Sequence, residues 1–144
     1  MATPHAWHPG ARGVATRWPL SVPLLPDEIL SSWLVRVALG NGCDPMTLTG
    51  LLWSDWRCWT MDMDRKVPDD KLHVLSVAAG IEREQLSFAN LYSLARLIRE
   101  PTTDRALWPW ITTLGARNTS RRAGMQFCPE CLRSDLHPYF RLQW

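Results

Sequence analysis

Pro26-Asp27-Glu28-Ile29-Leu30-Ser31-Ser32-Trp33-Leu34-Val35-Arg36-Val37-Ala38-Leu39-Gly40 is the clearest helical pattern in this 144-residue chain. Leu30, Trp33, Leu34 and Val37 recur at i, i+3, i+4 and i+7, which places them on one apolar stripe. Glu28, Ser32 and Arg36 step along another face at intervals of four. Asp27 is placed to N-cap the helix, and Glu28 adds negative charge at the positive end of its dipole. Gly40-Asn41-Gly42 stops it with residues that tolerate positive φ. Trp33 reads as a core anchor, the usual place for a large aromatic on an apolar stripe.

Upstream of this helix, residues 1–25 hold four prolines and show no helical periodicity. Pro19, Pro23 and Pro26 keep Arg17-Trp18-Pro19-Leu20-Ser21-Val22-Pro23-Leu24-Leu25 extended. A tail of this kind cannot bury its own Trp18 and Leu20. Two readings stay open: it lies across the helical domain, or it presents Trp18 and Leu20 to another protein. His5 and His8 have no further ligands nearby and belong to the tail.

Downstream, Asp44-Pro45 predicts the N-cap and first residue of a second helix, with Leu48, Leu51 and Leu52 on its apolar side. Cys43 and Cys58 read as small core or surface thiols. A third helix is expected over about 70–79, presenting Leu72, Leu75 and Ala79, with Gly80 as its stop. Ile81-Glu82-Arg83-Glu84-Gln85-Leu86 opens a fourth, and it or a successor runs to about Arg99 before Pro101. Two helices joined tightly at Gly80 look like a helix-turn-helix. The acids at the start of the second helix would repel phosphates, which weighs against direct DNA reading by this unit.

The totals narrow the function. The net charge of +2 selects no partner, but residues 105–144 carry six arginines against Glu130 and Asp135. Arg117, Arg121 and Arg122 lie in the basic linker 101–126 and are the candidate contacts to a nucleic-acid backbone. Nine tryptophans suit small cores filled by few large side chains, plus anchors for partners. No run of roughly 18 apolar residues is present to span a bilayer, and the N-terminus does not read as a signal peptide. The expectation is a bacterial cytoplasmic protein with reduced thiols.

Near the C-terminus, Phe127-Cys128-Pro129-Glu130-Cys131-Leu132 is a C-x-x-C knuckle. Two thiolates at this spacing can ligate one Zn²⁺ while the turn between them aims its amides at the sulfurs. His137 could supply a third ligand, although His137-Pro138 reads more simply as a loop. Tyr139-Phe140-Arg141-Leu142-Gln143-Trp144 alternates like a short strand.

Two motifs together carry a family resemblance. The first runs from Pro23 through Asp27, Trp33 and Arg36 to Ala38. The second is Gln126-Phe127-Cys128-Pro129-Glu130-Cys131-Leu132 followed by Pro138-Tyr139-Phe140-Arg141-Leu142-Gln143-Trp144. In order and spacing they resemble the TniQ family of transposition accessory proteins, which includes the TnsD-type target selectors. The resemblance spans about residues 17–144. It implies a mainly α fold, with a helix-turn-helix-like domain over 26–100 followed by the first part of a small zinc-ribbon-like module over 127–144. It also implies that Cys128 and Cys131 match the first two ligands of a structural Zn²⁺. Family members normally complete that site with a C-x-x-H pair beyond the position of Trp144, so either this chain is a truncated portion of a longer protein, which is the expectation, or its zinc site is incomplete.

By the same resemblance, the function is that of a non-enzymatic adaptor in target-site selection. It would link an AAA+ transposition ATPase of the TnsC or TniB type to a target recogniser. The recogniser is either an RNA-guided CRISPR effector, as in CRISPR-associated transposons, or target DNA itself. Trp18 sits where the family has an aromatic segment suited to docking the ATPase. The alternative is a stand-alone helix-turn-helix DNA-binding regulator. An enzyme is disfavoured, because no nucleophile, base and orienting group cluster at readable spacing, and no P-loop or two-metal acidic cluster is present.

Overall fold

A computed structural model describes residues 17–58, 63–93 and 127–142. Among the described residues five helices have both ends defined: α1 Leu30–Gly40, α2 Pro45–Leu52, α3 Asp69–Ala79, α4 Arg83–Phe88 and α5 Pro129–Ser134. The architecture is mainly helical, with no strand among the described residues. α1 packs on α2, and α3 on α4.

The α1 stripe forms the centre of the core: Leu30, Trp33, Leu34 and Val37 are fully buried. Around them close Leu48, Trp53, Trp56, Cys58, Met63, Val67, Leu72, Leu75, Ala79 and Leu86. Trp53 and Trp56 meet edge to face with centroids 4.8 Å apart. Cys58 is buried, with its amide donating to Thr49 Oγ1 at 2.9 Å, while Cys43 is half-buried.

The start of α1 differs from the sequence expectation. Asp27 is not the N-cap; it adopts φ 58°, a left-handed conformation that aspartate tolerates better than most residues. Ile29 occupies the N-cap position and offers no side-chain acceptor. The open amides of the first turn are instead met from three distant segments. Ile29 N donates to Phe140 O at 3.0 Å, Leu30 N to Ala89 O at 2.8 Å, and Ser31 N to the Asp64 carboxylate at 2.7 Å. Buried amides must be paired, and here the long-range partners make the helix start a junction of the fold. Glu28, read from the sequence as a charge at the positive end of the helix dipole, is 1% exposed.

The other helix ends follow local rules. The Asp44 side chain accepts from Thr47 N at 3.0 Å, with Pro45 in the first turn of α2. Gly80 takes φ 67° and ends α3. A side chain there would also collide with the Arg17 guanidinium. α4 starts at Arg83 and stops at Phe88, and the chain becomes helical again at 91–93. Asn90 starts that successor, its side chain accepting from Ser93 N at 3.1 Å. The expected strand over 139–144 is reduced, among the described residues, to one antiparallel bridge between Glu28 and Arg141. α1 turns the chain away immediately after Glu28, so the pairing has no further residues to use.

Candidate partner strap and metal knuckle

Two irregular segments carry the sequence-predicted site residues, and both are seated on α1. The first is a strap over residues 17–25. Its backbone is fastened to the C-terminal ends of two helices, where carbonyls lack helical partners. Trp18 N donates to Ala78 O at 2.8 Å and Ser21 Oγ to Ala79 O at 3.3 Å, so the strap serves as a cap for α3. Asn41, just after α1, clamps Leu20 from both sides: its Oδ1 accepts from Leu20 N at 2.9 Å and its Nδ2 donates to Leu20 O at 3.1 Å. Trp33 Nε1 donates to Val22 O at 3.0 Å.

This arrangement separates the two residues read as docking anchors. Trp18 is half-buried, packed on the core with its ring 6.1 Å from that of Trp33. Leu20 is 56% exposed. The strap therefore lies across the helical domain and displays one of the pair outward.

Beneath the strap sits a buried ion pair. The Glu28 side chain is fully buried, and its carboxylate receives Arg36 Nε at 2.8 Å and Nη2 at 2.5 Å. Leu25 N adds a third bond at 3.1 Å and Ser32 Oγ a fourth at 3.2 Å. Arg36 Nη2 also reaches Pro23 O at 2.8 Å. A buried charge held this fully avoids the large penalty of an unpaired one. The Glu28, Ser32, Arg36 spacing was visible in the sequence, but it gave no sign of burial.

The second segment is the knuckle, residues 127–142. Cys128 is the N-cap of α5 and its sulfur accepts from Cys131 N at 3.5 Å, which brings the two predicted ligands to one turn. The Cys131 amide, then the Cys131 thiol, hold the Cys128 thiol below its ordinary value. Cys131 moves the opposite way, mainly because its thiol donates to Cys128 and secondly through desolvation. Amides aimed at a sulfur are what a knuckle needs to stabilise a metal-bound thiolate. The donor chemistry fits half of a tetrahedral site. Among the described residues no group of three or more His, Cys, Asp or Glu side chains could hold an ion. His137 is exposed, on the loop after α5.

The knuckle has its own brace. Arg141 makes a two-pronged pair with Asp135 at 2.8 and 2.9 Å and stacks 4.0 Å from the Tyr139 ring. Phe127 and Phe140 meet edge to face at 5.9 Å. Three backbone groups then join it to α1 and the residues that lead into it: Phe140 O accepts from Ile29 N at 3.0 Å, Leu142 N donates to Asp27 O at 2.7 Å, and Phe140 N donates to Ser32 Oγ at 3.0 Å. Asn41, Ser32 and Asp64 are thus site-building residues that spacing alone did not reveal.

Arg117, Arg121 and Arg122 lie outside the described residues. A cleft of about 730 Å³ opens between the start of α3, α4 and residues 90–93. Its walls carry Lys66 and Arg83 against Asp69 and Glu84, a balanced lining rather than a phosphate-seeking one. Among the described residues no helix is long and apolar enough to cross a membrane.

Comparison with known proteins gives one family: the TniQ family model matches residues 19–144. No curated protein and no solved structure matches the chain.

Proposed function

Because this chain belongs to the TniQ family, which is associated with target selection in DNA transposition, we propose that it is a non-enzymatic adaptor joining an AAA+ transposition ATPase to a target recogniser. The recogniser is an RNA-guided CRISPR effector or target DNA. The observation that supports this reading is the strap. An extended, proline-stiffened segment is already fixed on α1 and α3, and it presents an apolar side chain outward. A docking surface of that kind loses little further entropy on binding.

In this reading the α3–α4 pair is a helix-turn-helix-like support. The knuckle opens a zinc-ribbon-like module in which Cys128 and Cys131 hold a structural Zn²⁺. Zinc would lock the two thiolates into one tetrahedral centre and so fix the α5 turn. Arg117, Arg121 and Arg122 are assigned to the nucleic-acid backbone. The alternative, a stand-alone DNA-binding regulator, has less support, since α4 has six residues and Glu82 and Glu84 stand at its start.

The test is binding of the nucleotide-loaded ATPase to full-length protein. Leu20→Ala is expected to weaken binding about thirtyfold, the equivalent of about 2 kcal/mol for an interface anchor, with the thermal melt unchanged. Trp18→Ala should lower the melt as well, because its ring packs on Trp33. ATPase binding by wild type but equally by Leu20→Ala would move the docking site off the strap. No binding by wild type would refute the adaptor reading.

A further inference from the structure

An unbroken run of hydrogen bonds crosses the start of α1 from the strap to the knuckle. Pro23 O accepts from Arg36, whose guanidinium grips both oxygens of Glu28. Glu28 Oε1 accepts from Ser32 Oγ, and the same Ser32 oxygen accepts from Phe140 N. The direction of each bond is fixed by the groups themselves. A serine hydroxyl has one proton, and it goes to the carboxylate. Its lone pairs are left to receive the Phe140 amide. Beyond Phe140 the contact continues through its ring to Phe127, the residue before Cys128.

The relay is dry. The Glu28 side chain is 0% exposed and Ser32 is 6% exposed, so water is poorly placed to replace a lost partner. Bonds in such a setting reinforce one another, and losing one is felt by the next. If Phe140 withdraws, Ser32 Oγ loses its amide donor, and its own bond to Glu28 is weakened. The carboxylate that also fastens Leu25 N and, through Arg36, Pro23 O then loses one of its supports.

We infer that the strap and the knuckle are coupled through the Glu28–Ser32 pair, so that loosening either segment loosens the other. By thermodynamic reciprocity the effect runs equally in both directions. Its use in the cell rests on the adaptor reading: a partner engaged at the strap and a metal held at the knuckle would then favour each other. The coupling itself needs neither, being a property of the folded chain.

Amide hydrogen exchange on the full chain, with no ATPase present, tests it separately from the docking reading. Phe127→Ala removes the ring that backs Phe140 without touching the strap or Ser32. It is expected to speed exchange at the Leu25 amide by about two- to thirtyfold, the usual span of such couplings, while Leu75 inside α3 keeps its rate. In a Ser32→Ala background the same substitution should leave Leu25 unchanged. Unaltered Leu25 exchange with the relay intact, or equal acceleration in both backgrounds, would overturn the inference. If Leu75 accelerates together with Leu25, the milder Phe127→Leu takes its place and the same two outcomes decide.

Discussion

The strap and the knuckle are both irregular, both lie on α1, and both are tied to it through backbone groups, yet they are stabilised by different physics. In the strap, Trp18, Val22 and Leu24 pack against the core, and Trp33 donates to the strap backbone. In the knuckle, α5 buries none of its residues, Phe127 is 53% exposed and Leu136 is 90% exposed. The strap draws on apolar burial, at roughly 25 cal/mol per Å². The knuckle depends on directional bonds: the Asp135–Arg141 pair, the Cys128–Cys131 turn and the three bonds to α1. A segment with so little core needs a crosslink or a metal to stand firmly.

That contrast sets the largest expected effect. A complete structural zinc site supplies on the order of 10 kcal/mol, far more than the visible bonds of the knuckle. Metal analysis of intact protein should find zinc in wild type and none in Cys128→Ser/Cys131→Ser. Equal zinc in both would show that these thiols are not ligands, and would leave the knuckle resting on its ion pair alone.

The next effect falls on the strap side. Trp33 is fully buried, and it supports the strap through both its ring and its indole N–H. Trp33→Ala should cost about 3–5 kcal/mol, a large share of the 5–15 kcal/mol typical of a domain. Chemical denaturation should show the loss, with strap amides such as Leu20 exposed before the knuckle's Leu142. An unchanged midpoint would contradict the burial-based account of the strap.

The two regions were not equally legible in the sequence. The apolar stripe of α1, Asp44-Pro45 and Gly80 act through neighbours within a few residues, so spacing was enough to place them. The cap of α1 is not legible in local spacing, because Asp64 lies thirty-odd positions away and Phe140 more than a hundred, and no local pattern encodes such partners. The burial of Glu28 escapes local pattern for the same reason. Its periodic partners Ser32 and Arg36 were visible, but the strap that covers them came from an open choice between two readings. The C-x-x-C pair was legible because its geometry is local. In the sequence Arg141 is one position of an alternating pattern, whereas its role as a brace depends on Asp135 across the turn.

The smallest expected effect is a pH dependence confined to the knuckle. The Arg141 guanidinium beside Asp135 holds that carboxyl below its ordinary value. A depressed carboxylate pKa stabilises the folded form above the unfolded value, about 3.9, and the contribution fades as pH falls through the lower folded value. Arg141 stays charged throughout, and the nearby Cys131 thiol, already raised, stays protonated in acid. Exchange at the Leu142 amide should therefore rise, relative to its intrinsic rate, as pH is lowered below about 4. In Asp135→Asn the rise should be smaller and the neutral-pH rate already higher. The informative quantity is the difference between wild type and Asp135→Asn at Leu142, measured beside Leu25. If that difference does not change with pH, the ion pair is not what braces the knuckle, and the backbone bonds to α1 carry it instead.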